Sequence, residues 1–167
     1  MLKSVSVNEA WQRKYPEQVA LATSVDPEGN ADIIALGWFM TTSFQPPMCA
    51  ISVGHTRYSH ELISECGEFV AAFPAEGCED DVLLCGTKSG RDCDKFAETN
   101  FTAAESSEVA PPLIAECLVN LECVVEGELE TGDHTIFSGR IVAAYINEEA
   151  GRRIYNLGNG HTLRPLP

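Results

Sequence analysis

The spacing of turn signals between short β-type runs constrains this chain more than any other feature. Val19 to Val25, VALATSV, is rich in small and β-branched residues and reads as a strand. Asp26-Pro27-Glu28-Gly29-Asn30 follows, a turn in which Pro fixes φ and Gly takes a positive φ. Ala31 to Ser43 should return antiparallel to the first run until Pro46-Pro47 breaks the pattern. Met48 to Gly54 is almost wholly apolar and is expected to be buried on both faces. Glu68 to Phe73, Leu118 to Leu129 and His134 to Ile146 complete the strands, the last two joined by Glu130-Thr131-Gly132-Asp133. Between them lie short helical patterns. Ser6-Val7-Asn8-Glu9 caps a helix ended by Pro16. Tyr58 to Cys66 turns Leu62 and Ile63 inward, with a Ser cap at its start and Gly67 as its stop. Glu79 to Cys85 and Asp92 to Glu98 flank the loop Gly86-Thr87-Lys88-Ser89-Gly90. Thr99 to Val109 reads as irregular, and the tail from about 151, with Gly158, Gly160, Pro165 and Pro167, as a loop or arm. Some six strands joined by tight turns favour a mainly β architecture, a small antiparallel barrel with short helices, over a βαβ sheet.

A length of 167 residues fits one domain, expected to span 1–167. Twenty-five acidic against eleven basic residues give a net charge of −14, which repels phosphate backbones and anionic membrane surfaces, so neither nucleic acid nor membrane is an expected partner. Met1 to Tyr15 has no apolar core of a signal peptide, and the apolar runs fall short of a membrane span, so the chain is expected in the cytoplasm. Seven cysteines cannot all pair within one chain, and none forms a C-x-x-C. Cys49, Cys117 and Cys123 lie in apolar runs and read as small core residues, whereas Cys85 and Cys93 flank the Gly-rich loop and read as more accessible. Inert thiols in a reducing compartment, with no metal site, are the expectation.

Between Val19 and His134 the chain carries four positive charges: Arg57, Lys88, Arg91 and Lys95. They fall in two segments, HTRYSH and TKSGRDCDK, each rich in hydroxyls or Gly and each opening onto a helix. Such a pairing of helix start, hydroxyls and cation suits an anionic small molecule. Surface ion pairs between Arg57 or Lys95 and Glu61, Asp92 or Asp94 are the other reading. Gly37-Trp38-Phe39-Met40-Thr41-Thr42-Ser43-Phe44 is either an edge strand packing alternate residues or a platform for a flat aromatic ligand. His134, after Gly132-Asp133, is either a structural turn residue or a group that binds or protonates a substrate. The chain has no dinucleotide fingerprint after a strand, no phosphate loop of the Walker type, no nucleophile elbow and no legible triad. Glu79, Asp80 and Asp81 read as a solvated face.

These residues, taken in order, resemble the flavin reductase-like, FMN-binding split-barrel family, and within it the flavoredoxin-like branch. PEQVALATSVDPEGNADIIALGWFMTTSFQPPMCAISVG is similar to the family's first three strands, diproline included. HTRYSHELISECGEFVAAFP resembles its basic segment, helix and following strand, and GTKSGRDCDKF its SGxDxDKF signature. APPLIAECLVNLECVV and GDHTIFSGRIVAA resemble its closing strands. The resemblance spans Pro16 to Tyr145 and implies a split antiparallel β-barrel, a homodimer, and FMN near the subunit interface. By motif, Trp38, Phe39, Met40, Thr41 and Thr42 would lie along the isoalloxazine ring. Arg57 and Ser59 would hold the phosphate, with Thr42 or Thr56 assisting. Ser89, Gly90, Arg91 and Lys95 would line the cofactor's polar side, and His134 would stand beside the flavin as the catalytic residue. The implied activity is electron transfer from NADH, NADPH or a protein donor through FMN to an acceptor, with a non-catalytic flavin or electron carrier as the alternative. The acidic surface is compatible with a basic electron-transfer protein as partner. NLGNGHTLRPLP at the C-terminus matches no motif.

Overall fold

The computed structural model describes residues 1–158 and 160–166; Asn159 and Pro167, both in the tail expected to be a loop, lie outside the described residues. In chain order the elements are α1 (Val7–Trp11), β1 (Glu17–Gln18), β2 (Ala20–Val25), β3 (Ala31–Leu36), β4 (Phe39–Phe44), β5 (Pro47–Gly54), α2 (Tyr58–Cys66) and β6 (Glu68–Pro74). Then follow α3 (Glu79–Thr87), α4 (Lys95–Glu98), β7 (Ala103–Ala104), β8 (Leu113–Ile114), β9 (Cys117–Thr131), β10 (His134–Ile146), β11 (Ile154–Asn156) and β12 (Leu163–Pro165).

The main sheet has seven strands in the order β3-β2-β6-β9-β10-β5-β4, every pairing antiparallel. Its two edges, β3 and β4, are consecutive in sequence and only Gly37 and Trp38 lie between them. Flat, six strand spacings of about 4.8 Å would put those edges roughly 29 Å apart, whereas a link from Leu36 to Phe39 reaches only about 10 Å. The sheet must therefore roll up. The rolled sheet is an antiparallel β-barrel, as the turn spacing predicts, and it is split, as the resemblance implies. The continuous run expected over Ala31 to Ser43 is instead two strands, because its first half pairs with β2 and its second with β5.

Two apolar cores lie on opposite sides of the wall. Ala22, Ile51, Val53, Phe69, Ala71, Cys123 and Phe137 fill the barrel, plugged by Ile63 of α2. Leu21, Ile33, Ala72, Val82, Cys85, Ile114 and Ile154 form an outer layer beneath α3 and the tail. Neighbours in sequence, Leu21 and Ala22 or Ala71 and Ala72, thus enter different cores, as a two-residue period requires. β2 is buried along its whole length, whereas β5 is exposed at Pro47, where it starts, and runs between buried and half-buried from there. Two-sided burial for Met48 to Gly54 holds only in part: Cys49, Ile51 and Val53 on one face are buried, whereas on the other Ala50 is buried and Met48, Ser52 and Gly54 are half-buried.

Helix α2 starts and stops where predicted, with Gly67 in the left-handed conformation at φ 70° and its N–H bonded to the Ile63 carbonyl. Its expected serine cap is absent; Arg57 occupies the cap position and makes no side-chain cap bond. The helix expected from Asp92 shortens to α4, capped by Asp94, whose carboxylate accepts from the Ala97 N–H. The stretch from Thr99 holds one short pairing, β7 with β8. The tail is not a free arm: β11 and β12 form a three-stranded sheet with β1, and Arg153 packs over the Phe73 and Tyr155 rings.

All seven thiols are free. Cys49 and Cys123 lie 3.5 Å apart inside the barrel. Cys85 is buried rather than accessible, and burial pushes its thiol up to about 12. Cys66 and Cys93 are the partly exposed pair. A disulfide-exchange dye should therefore label these two thiols in the native protein and all seven after unfolding, read as absorbance of the released thiolate.

Candidate functional site

Two cavities open on the outer side of β3, between α2, α3 and the tail. The larger, about 360 Å³, has a wall of Ile34, Leu36 and Val53, a flat boundary of Trp38 and His134, and Arg57 at one end. The smaller, about 150 Å³, is lined mainly by polar groups, among them Thr56, Ser59, Thr87 and Ser89. They share Ile34, Ala35, Arg57, Gly86 and Thr87, so an apolar slot runs into a polar end with Arg57 at the junction. A ligand with a flat body and an anionic end fits that layout.

The four mid-chain cations separate sharply. Lys88 pairs with Glu98 and Arg91 with Glu61, both at the surface. Lys95 is buried, 3% exposed, and its Nζ sits 2.9 Å from the equally buried Asp32. Among the described residues, only Arg57 of the four keeps its guanidinium without a carboxylate or carbonyl partner. The surface pairings expected for Arg57 and Lys95 are not the ones formed.

The Asp32–Lys95 contact has further partners. Lys95 Nζ donates to the carbonyls of Ile33 at 2.5 Å and Cys85 at 3.4 Å. Its N–H bonds point to those carbonyls, so its relation to Asp32 Oδ1 is one of charge rather than a directed bond. Ser59 Oγ donates to Asp32 Oδ2 at 2.5 Å, which diverts that hydroxyl from capping α2. A Cβ on Gly90 would collide with the Asp32 carboxylate and touch Tyr58, so only glycine lets the 88–94 loop close over this pair. The SGRDCDKF segment therefore has a structural logic of its own. Gly90 admits the carboxylate, Asp94 caps α4, Lys95 compensates Asp32, and Phe96 packs on the outer core.

His134 opens β10 and lines the larger cavity. Its Nδ1 lies 2.6 Å from Asp133 Oδ1, and the bond holds the Asp133 carboxyl below its usual range. A carboxylate only accepts, so Nδ1 carries the proton and Nε2 is left to exchange one. The ring stands 4.6 Å from Trp38, tilted by 47°.

Of the residues singled out by motif, Trp38, Arg57 and His134 line the larger cavity. Thr56, Arg57, Ser59, Ser89, Gly90 and Lys95 line the smaller. The side chains of Phe39, Met40, Thr41, Thr42 and Arg91 line neither; Phe39 packs edge-on against Phe73, and Met40, Thr41 and Thr42 are exposed on the sheet's free edge. Sequence reasoning missed Asp32, whose one signal was a carboxylate in an otherwise apolar strand. It also missed Tyr15, Asn156, His161 and Leu163, which reach the larger cavity from segments without a motif.

A flavin reductase like domain matches residues 12–164. The chain belongs to the flavin reductase like family. A protein of Archaeoglobus fulgidus is 42% identical over 128 residues, 77% of this chain and 71% of that protein. Flavoredoxin from Methanosarcina acetivorans superposes with a TM-score of 0.84 at 28% identity, covering 99% of this chain and 92% of the other. The NADH:FAD oxidoreductase of Streptomyces globisporus shares the fold at a TM-score of 0.81 and 23% identity, over 100% of this chain and 99% of the other. Flavin-related redox chemistry is thus the family's function.

Lys95→Met leaves Asp32 buried and uncompensated, so urea unfolding should find it about 3 to 5 kcal/mol less stable than the parent. Arg57→Ala, removing an exposed and unpaired side chain, should stay within about 0.5 kcal/mol.

Proposed function

We propose that this protein binds FMN and passes electrons from NADH or NADPH, or from a protein donor, through it to an acceptor. The observation that carries the reading is the guanidinium of Arg57, unpaired among the described residues, where the apolar slot meets the polar pocket. A dianionic phosphate there would meet Arg57, the Thr56 and Ser89 hydroxyls and the start of α2. Ser59 and Lys95 serve the site differently: they hold Asp32 and so fix the pocket's walls. Gly90 and Arg91 belong to the loop that closes it, Gly90 over Asp32 and Arg91 through Glu61 and the Tyr58 ring. Trp38 would border the ring system, with the backbone of Phe39 to Thr42 continuing along its edge.

The bound flavin supplies the electron chemistry, taking up and releasing electrons at its ring. The chain's own part is to bind, to exclude water and to manage a proton at His134 Nε2, whose tautomer Asp133 fixes. Support for FMN comes from the flavoredoxin likeness, and support for a nicotinamide donor from the oxidoreductase that shares the fold.

A second reading, a carrier fed by another protein, is favoured by the exposed acidic hairpin end, Glu128 and Glu130, which suits a basic partner. The free edge β4, with Met40 and Phe44 exposed at 52% and 92%, is the surface we assign to a second copy of the chain. Seven free thiols fit a reducing cytoplasm. Among the described residues, no helix is long and apolar enough to cross a membrane.

The test is FMN titration by flavin fluorescence, with anaerobic addition of NADH to the loaded protein. FMN should bind, and Arg57→Ala should weaken it at least tenfold. Bleaching by NADH identifies a nicotinamide-dependent reductase; an FMN band that persists identifies the carrier; no FMN binding sinks both. By sedimentation the parent should be a dimer and Phe44→Glu a monomer.

A further inference from the structure

Residues 1–15 form an arm that joins neither core. Helix α1 is well made locally: Ser6 caps it by accepting the Glu9 N–H, and the Gln12 N–H closes its last turn on the Asn8 carbonyl. Yet none of its residues is buried. Val7 and Trp11, four positions apart and so on one face, are both exposed, Trp11 at 56%. A helix of five residues has too few backbone bonds to hold itself in water. Its stability has to come from packing that apolar face, and the body of its own chain leaves the face bare.

Charge sets the arm apart as well. It carries Lys3, Arg13 and Lys14 against Glu9 alone, which leaves eight basic and twenty-four acidic residues to the rest of the chain. A basic, apolar arm on an acidic body is complementary to another copy of that body.

The root of the arm lies beside the edge assigned above to a second copy. Lys14 is tied to Glu17 at 2.5 Å, with its Nζ 6.0 Å from the Trp11 ring centroid and 5.9 Å from that of Trp38. Trp38 immediately precedes the edge strand β4, and its ring stands beside His134, which opens β10 after the hairpin turn. The end of the β9–β10 hairpin is thus at the same end of the barrel as the arm's root. It is an unfinished surface of the opposite kind. β6 and the Gly67 carbonyl pair with β9 only as far as Val125, so the strand beyond is a free edge. Glu126 is taken by Arg140, but among the described residues Glu128 and Glu130 form no ion pair. Leu129, between them, is 61% exposed. Carboxylates along an edge strand deter indiscriminate pairing, and this edge keeps an apolar side chain for a partner that brings the matching charge.

We infer that the arm crosses to a second copy of this chain, where Val7 and Trp11 pack against Leu129 and the cations Lys3 and Arg13 meet Glu128 and Glu130. Roughly 25 Å of chain separates Lys14 from Lys3, which gives the arm its reach. In a two-fold dimer each copy gives one arm and receives one. The inference rests on the β4 reading above, because an axis past β4 brings one copy's arm to the other's hairpin end. That acidic end is then occupied within the dimer, and the basic partner it suits is the chain itself.

The experiment uses the full-length protein and reads the dimer dissociation constant by sedimentation. The variants are Trp11→Glu, Lys3→Glu with Arg13→Glu, Glu128→Lys with Glu130→Lys, and the last two pairs combined. All of these side chains are exposed, and thermal unfolding checks that each variant folds. Trp11→Glu should weaken the dimer about tenfold. Each charge reversal alone should weaken it several-fold, and the combined reversal should restore the parent's constant. Carbodiimide coupling of mixed isotope-labelled and unlabelled copies should join Lys3 to Glu128 or Glu130 between unlike copies. Dimer constants that none of the variants moves, or coupling confined to single copies, overturn the arm and leave the β4 reading standing. A monomeric parent overturns both. Arm-dependent sedimentation with phosphatidylserine vesicles, at an unmoved dimer constant, makes an anionic membrane the arm's partner and overturns the inference.

Discussion

The buried pair of Asp32 and Lys95 is the contact on which the site depends. Four elements meet at it: β3 carries the carboxylate, α2 sends Ser59 to it, the 88–94 loop passes over it at Gly90, and α4 begins with the lysine. Two charges withdrawn from water are costly unless each is compensated. Lys95 is compensated by one carboxylate and two carbonyls, Asp32 by an ammonium and a hydroxyl. Removing any partner leaves a buried charge or donor without its complement. The arrangement holds the polar pocket's walls at fixed separation without itself contacting an anion as a free charge.

That division of labour depends on how the sheet is layered. β2 and β6 separate the barrel interior from the outer layer, so both their faces are buried, by Ala20, Leu21 and Ala22 on β2 and by Phe69, Val70, Ala71 and Ala72 on β6. β3 lies one strand further out, at the edge of the sheet, with α3 packed against it. Its residues alternate between the two cores, Ile33 and Ala35 on the outer layer and Ile34 and Leu36 on the barrel, and the slot runs along Ile34, Ala35 and Leu36. The link of two residues to β4 rolls the sheet and brings Trp38 to the slot's mouth, beside His134 from the far strand β10. The cavity is thus the seam where the barrel fails to close by hydrogen bonds.

Much of this was legible in the sequence. Local signals gave α2 with its Gly67 stop, the β9–β10 hairpin and the antiparallel β2–β3 pair, because each depends on residues a few positions apart. The motif order gave the family. What local reasoning could not see was pairing over distance. Lys95 and Arg57 look alike as cations beside hydroxyls, and only a partner some sixty positions away separates the buried structural lysine from the free arginine. The tail was misread for the same reason. Its strands are three residues each, too short and polar for a periodic signal, and they exist because β11 pairs with β1 on one side and β12 on the other. Cys85 looked accessible beside a Gly-rich loop, but the loop folds back over the outer core.

The separation of the cations also explains how so acidic a chain can hold an anion. A field of −14 opposes any phosphate at long range, but screening limits that opposition to about 10 Å in ordinary salt. Inside that distance the local balance decides. A protein rich in carboxylates could easily have neutralised Arg57, as it neutralised Lys88, Arg91 and Lys95. A group left out of an otherwise consistent pairing scheme is where local rules yield to function. Apolar surface of Ile34, Leu36 and Val53 stands on one side of that guanidinium and the hydroxyls of Thr56, Thr87 and Ser89 stand on the other. The cavity's polarity pattern is complementary to a flat molecule with an anionic end.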